Sequence, residues 1–518
     1  MSTALEIIGC LGAAAAVSGG LLTSDARLRA AALLVAMGLA AALVAGQGWD
    51  ELSTLRSHHL EFGAAILAAL VALAIGAAVL VRWPVLLPLL LVATLPFRVR
   101  LHVSGGEDVN LLVPLYVVLG AGVGATAVEA FRGRARVRPL PSPLVLALVL
   151  VVCLYAIQAT YSADLDFAAR NIGFFLTPFA VLFCLLTMVE WDRRLVRLAF
   201  AVVVVETVLF AGIGIGQYAT EHIFWNGKLE ASNDFHFYFR VNSLFWDPNI
   251  YGRYLMAGIL LACAVLLFTS DRRLAFVLVA ALAITFAGLV FSFSQTTFVS
   301  LFVGLAVLAA LRWSARWVAV GAPLAFGVTI LAVLFLAGGS NESSRDISEG
   351  HSSLISGGAR LAWHRPLYGY GSASFSKEFA EAEDVPPGDT TISHTEPVTV
   401  AAEQGVIGIL GYLALLAAAV WTLFSGMRSV APGLGAPFRS LEHGERAELG
   451  PARIGLAAAF VALFAHTIGY AAYLTDPLTW ALLALGGVLA AEMGVGGWPR
   501  RTGSAESRAQ SAAAPTVA

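Results

Sequence analysis

The chain has 518 residues, of which 58% are hydrophobic and 13% charged. That balance excludes a soluble multidomain protein and identifies a polytopic membrane protein. The net charge of -2 says nothing about partners, because in such a chain the distribution of charge matters and its sum does not; nothing suggests nucleic acid binding.

The opening MSTALEIIGC lacks a basic n-region and a convincing cleavage site, so it reads as the first spanning helix and not as a removable signal. Apolar runs near the roughly 20 residues needed to cross a bilayer recur at 4–22, 30–46, 63–81, 83–97, 111–130, 143–160, 172–189 and 198–218. They continue at 248–268, 274–292, 296–311, 317–337, 405–427, 454–474 and 477–496. The expected fold is an all-α polytopic membrane protein with about 14–15 transmembrane helices. Cys10, Cys153, Cys184 and Cys263 lie within these runs, where they act as small hydrophobes. No disulfide framework or metal motif is expected.

Arginines gather in every second loop: Arg27 and Arg29, Arg132 to Arg138, Arg193 and Arg194, Arg272 and Arg273, Arg312 and Arg316, the stretch 428–453, and Arg500 and Arg501. The positive-inside rule puts these loops in the cytoplasm and leaves 47–62, 98–110, 161–171, 219–247 and 338–404 outside. The last of these is rich in Ser, Gly, Glu and Asp yet holds Trp363, Tyr368, Tyr370 and Phe375. A disordered linker would carry fewer aromatics, so a folded external cap is expected. The chain then divides into three amino-terminal helices (1–82), the first part of a membrane core (83–337), the cap (338–404), the last core helices (405–496) and a disordered cytoplasmic tail (497–518).

The stretch SHTEPVTVAAEQGVIG, residues 393–408, places a histidine in a polar loop just before a membrane helix. Ser393 and Glu396 form a capping-box pattern, which makes His394 the first helical residue and keeps Pro397 in the tolerated first turn. At the positive end of the helix dipole the neutral imidazole is favoured, as a general base requires, and so is an anion beside it. A phosphate-bearing substrate with a hydroxyl to deprotonate suits both. An ordinary exposed loop histidine has the same local pattern. Gly405, Gly408 and Gly411 recur every third position, a spacing that mostly serves close packing.

Outer loops need no arginine for topology, so Arg240, Arg345, Arg360 and Arg365 call for another explanation. Guanidinium groups grip phosphates bidentately at any physiological pH. Arg240, in HFYFRVNSLFWDPN, is expected at headgroup depth, where a lipid phosphate or pyrophosphate lies. Snorkelling to native lipid headgroups is the competing reading. Within the membrane, Glu206 and His466 read either as a proton path or as structural hydrogen-bonding groups, the second being favoured because two are few for a transporter. The turn around Pro366, Gly369 and Gly371 could bring backbone close to a ligand, although loops use the same residues.

Together these features resemble the O-antigen ligase and polymerase superfamily of bacterial envelope enzymes. The shared pattern is Pro366-Leu367-Tyr368-Gly369-Tyr370-Gly371, then His394 before Gly405-Val406-Ile407-Gly408, and, in an earlier outer loop, Arg240-Val241-Asn242-Ser243-Leu244 followed by Asp247-Pro248-Asn249. The resemblance covers residues 83–496 and makes the first three helices additional to the common plan. Many relatives carry Ser-Arg-Gly where this chain has Ser294-Gln295-Thr296, which puts any phosphate contact there in doubt.

The resemblance implies a GT-C-like arrangement with one large external loop. It also implies glycan transfer from a polyprenyl (undecaprenyl) diphosphate carrier to an acceptor hydroxyl at the outer face of the cytoplasmic membrane. The partners would be a lipid-linked glycan donor, a glycolipid or glycan acceptor, and membrane lipids, with no metal or other cofactor. By the same resemblance His394 is the catalytic base, and Arg240 with Arg345 binds the pyrophosphate, Arg360 being the alternative second arginine. A polymerase of lipid-linked repeats would use the same parts. A flippase should line a cavity with charge from several helices, and a scaffold would leave the histidine and arginines unexplained.

Overall fold

A computed structural model describes residues 2–47, 59–102, 108–134, 142–224, 226–235, 238–314, 316, 318, 321, 343–384, 393, 395–435, 445–493 and 495. His394, nearly all of the expected span 317–337 and the tail 497–518 lie outside the described residues. Arg345 is described only as part of a helical backbone.

The chain opens with an antiparallel pair, α1 (Thr3–Leu22) and α2 (Ala26–Gln47), followed by α3 (His59–Arg82) and the short α4 (Leu86–Ala93). A hairpin, β1 (Val99–His102) with β2 (Asp108–Leu111), precedes α5 (Val113–Phe131) and α6 (Pro143–Ala159). Next come α7 (Leu165–Asn171), running through the π turn Ile172–Leu176 into α8 (Thr177–Met188), then α9 (Arg193–Thr220) and α10 (Gly227–Asn233). The second half holds α11 (Pro248–Leu266), α12 (Arg272–Val290), α13 (Gln295–Arg312), α14 (Ser343–His364) and α15 (Phe375–Glu383). The long α16 (Glu396–Phe424), α17 (Glu445–Gly469) and α18 (Pro477–Glu492) complete it.

Among the described residues, 11 helices are long and apolar enough to cross a membrane, and α6 and α18 are shorter apolar helices. The polytopic all-α architecture therefore stands. The expected span at 83–97 does not: α4 has eight residues, a length of roughly 12 Å where the hydrocarbon core needs about 30 Å. Pro84 and Pro96 bracket it, and a proline disfavours helix in the residue before it. The span expected at 172–189 begins earlier, at Leu165. Its π turn has a local cause. Pro178 has no N–H for the carbonyl of Phe174 four residues back, and the Tyr116 hydroxyl donates to that carbonyl instead, at 2.7 Å.

Three helices begin with a side-chain cap followed by proline: Ser142-Pro143, Asp247-Pro248 and Asp476-Pro477. Each side chain accepts a first-turn N–H, while proline occupies a position whose N–H would have no helical partner. The most buried helices are α8, α11, α17 and α18, which form the centre of one continuous apolar core. α3 lies at the periphery, where Gly76 and Gly124 bring its backbone against Ala121 and Ala77 at the α3–α5 contact. Small residues of this kind are how membrane helices approach closely.

The loops expected outside meet at one end of the bundle. Gln47 Nε2 donates to the Asp166 carbonyl at 2.6 Å, Ala163 N–H to Tyr370 O at 3.2 Å, and Thr395 Oγ1 to Ile468 O at 2.9 Å. The expected cap contains two helices in its described part, α14 and α15, whose apolar contacts centre on Leu361, Phe375 and Phe379.

Candidate active site

α11 begins at the end of the bundle where those loops meet. Asp247 caps it by accepting the N–H groups of Asn249 and Ile250, and Arg253 follows one turn later. The Arg253 side chain is 1% exposed and all its donors are engaged. Nε and Nη2 donate to His466 Nδ1 at 3.3 and 3.1 Å, Nη1 to Asp476 Oδ2 at 2.8 Å and Ala472 O at 3.1 Å, and Nη2 to Tyr470 O at 3.1 Å. A guanidinium cannot accept a hydrogen bond, so His466 Nδ1 is the acceptor and the ring proton lies on Nε2. That proton points to Thr297 Oγ1 at 3.1 Å. Thr297 and Ser294 hydroxyls lie 2.7 Å apart, and Ser294 Oγ donates to Asn249 Oδ1 at 2.6 Å. The chain of donors therefore runs in one direction, from Arg253 to Asn249.

The same network holds the turn 470–473, which joins α17 to α18. Ala472 sits at φ +90, a conformation that a non-glycine residue keeps only when its surroundings impose it. Arg253 takes the carbonyls of Tyr470 and Ala472, while Glu396 Oε2 accepts the N–H groups of Ala472 and Tyr473 at 2.9 and 3.2 Å. Tyr470 lies under the guanidinium, whose carbon is 5.4 Å from the ring centroid. Burial, and after it the Asp247 carboxylate, raises the Tyr470 phenol above its ordinary range and keeps it neutral.

Glu396 opens α16, so the turn also fixes the start of the helix that follows His394. The expected capping box is absent. The helix begins at Glu396, two residues after His394, with Thr395 at the N-cap. Glu396 reaches the 472–473 amides and not the cap backbone, and Ser393 Oγ bonds Thr399 Oγ1 at 2.8 Å. A neighbouring turn with two unpaired N–H groups outcompetes the local motif for the carboxylate.

Arg240 lies on the other side of the network. Its backbone N–H and C=O are both paired with the Asn233 side chain at 3.0 Å, and its Nε donates to Ser292 O at 3.3 Å. Ser292 belongs to the α12–α13 loop, whose Ser294 begins the path to His466. The half-buried guanidinium thus has its orientation set by Nε, while Nη1 and Nη2 have no hydrogen-bond partner among the described residues. Arg360 is placed differently: it is exposed on α14 and pairs with Glu383 of α15. No described contact joins it to Arg240. Arg365 stacks over Tyr370, 4.2 Å from the ring centroid.

The glycine-rich turn 366–371 has a structural partner. α16 breaks at Gly405, with φ 62 and ψ -160, and the turn docks into the break. Val406 N–H donates to Pro366 O at 2.8 Å, Ile407 N–H to Leu367 O at 3.3 Å, and Gly371 N–H to Glu403 O at 2.8 Å. A Cβ at Gly405 would lie 2.5 Å from Leu367 C, and one at Gly369 would meet the Glu403 carbonyl. The close backbone approach is to the protein itself. Buried Glu403 completes the joint by accepting Ala373 and Phe375 N–H groups at 2.9 and 3.2 Å.

Of the two intramembrane groups, Glu206 accepts the Tyr254 hydroxyl and His466 bridges Arg253 and Thr297. Sequence reasoning missed Arg253, although the rule that singled out Glu206 and His466 applies equally to an arginine inside NIYGRYLMAG. Among the described residues no group of three or more His, Cys, Asp or Glu side chains is arranged to hold a metal ion.

No curated protein matches the chain. Residues 278–413, from within α12 to within α16, match the family model of the O-antigen ligases. That region includes Arg345, Arg360, the turn 366–371 and His394, and over it the chain is similar to the O-antigen ligases.

Proposed function

We propose that this protein transfers a glycan from a polyprenyl diphosphate carrier to an acceptor hydroxyl at the outer face of the cytoplasmic membrane, as an O-antigen ligase. The observation that carries the reading is Arg240: a half-buried guanidinium, anchored through its backbone and Nε, with its terminal amino groups unpaired among the described residues. Such a fork matches pyrophosphate oxygens and stabilises the charge that develops on them. Arg345, or Arg360 in its place, supplies the second positive charge.

His394 takes the acceptor proton as the acceptor oxygen bonds to the sugar carbon. The bond from that carbon to pyrophosphate breaks, and polyprenyl diphosphate leaves with the electron pair. The reading needs no metal, because arginines provide the positive charge. The cap excludes water that would otherwise hydrolyse the donor. Support for the outer face comes from the arginine-rich loops, which the positive-inside rule assigns to the cytoplasm.

In vesicles supplied with lipid-linked glycan and acceptor, His394→Ala should abolish transfer while donor binding persists, whereas Arg240→Ala should lose both. Normal transfer by the His394 variant would remove the general-base assignment. Growth of the lipid-linked glycan without transfer to the acceptor would identify a polymerase.

A further inference from the structure

The run Trp363-His364-Arg365-Pro366-Leu367-Tyr368 has every side chain exposed. Trp363 is 85% exposed, Leu367 64% and Tyr368 55%. The backbone beneath them is nevertheless fixed. Pro366 and Leu367 carbonyls accept from α16, and the Tyr368 carbonyl accepts from the Tyr161 hydroxyl at 2.8 Å. Three large side chains are thus held outward by a fixed backbone, each more than half exposed. A water-facing surface rarely presents such a patch without a partner.

The patch continues onto two spanning helices. Val406 and Ile407, bonded to Pro366 and Leu367, are exposed on α16, as is Leu410 one turn further on. On the other side Tyr161 meets Tyr368 edge to face at 6.0 Å between ring centroids, beyond the exposed Ile157 of α6. Aliphatic side chains on a spanning helix with Trp and Tyr at its end mark the boundary between hydrocarbon and headgroups. His364 and Arg365 are exposed among them, and a guanidinium at that depth meets lipid phosphate.

We propose that residues 363–368 form a foot on the bilayer: Trp363, Leu367 and Tyr368 insert among the headgroups and upper acyl chains, and Arg365 faces lipid phosphates. The foot seats the end of α14 on the membrane surface. This interaction is independent of glycan transfer.

The test is site-directed spin labelling of the full chain, with its native cysteines replaced, in phosphatidylethanolamine and phosphatidylglycerol vesicles. Labels at Trp363→Cys and Leu367→Cys are compared with Ile407→Cys as the lipid reference and Glu381→Cys, exposed on α15, as the water reference. The expected oxygen-to-nickel-chelate accessibility ratio at 363 and 367 is close to that at 407 and several-fold above that at 381. A ratio like that at 381, or protection from both reagents as beneath a second protein, would overturn the proposal. In brominated-lipid vesicles, Trp363→Phe should remove part of the quenched tryptophan emission; an unchanged quenched fraction would also overturn it.

Discussion

Gly405 and Arg253 show two ways in which one residue becomes irreplaceable. Gly405 occupies a backbone region open essentially to glycine alone, and the space a methyl group would need is filled by the Leu367 backbone. Gly405→Ala should destabilise the protein by roughly 1–3 kcal/mol from backbone strain alone, and more if the 366–371 turn is expelled. Thermal unfolding in detergent should show the loss. An unchanged midpoint would mean that the break is not obligatory. Arg253 matters for its number of partners: it ties α11 to His466, Asp476 and the 470–472 carbonyls. Removing it would leave Asp476 without its buried counter-charge and take a donor from each of the turn carbonyls.

At the scale of elements, the start of α16 is positioned by tertiary contacts. Glu396 accepts two amides from the α17–α18 turn, and Thr395 Oγ1 donates to Ile468 O. Glu396→Ala would strand the Ala472 and Tyr473 N–H groups, at about 1–3 kcal/mol for a buried donor left unsatisfied. It should lower both the unfolding midpoint and glycan transfer. Glu396→Gln keeps an acceptor oxygen and should recover most of both. Equal losses in the two variants would show that charge, and not acceptance of the amides, is what Glu396 contributes.

Across the whole molecule, charge separates the two ends. The arginine-rich loops alternate with those that meet around residues 163, 370, 395 and 468. With cysteines placed at the exposed positions Glu381 and Arg428, a membrane-impermeant maleimide should label 381 and not 428 in intact cells, and the reverse in inverted vesicles. Labelling of both from one side would refute the two-ended arrangement and the outward-facing site with it.

Most helix positions and the arginine alternation were legible in the sequence, because bilayer thickness and the topology rule act on contiguous residues. Length and apolarity alone place most spans, and they failed at 83–97, where prolines break the run. Arg240 was legible as an arginine that topology did not require. Its fixed Nε and open amino groups depend on Asn233 and Ser292, 7 and 52 positions away. Whether Glu396 caps its own helix or a distant turn, and whether the glycines of 366–371 meet a ligand or Gly405, was settled by tertiary contact. A hydrogen-bond acceptor or an empty space beside a glycine is taken by whichever group the fold brings nearest, and a local motif does not encode that distance.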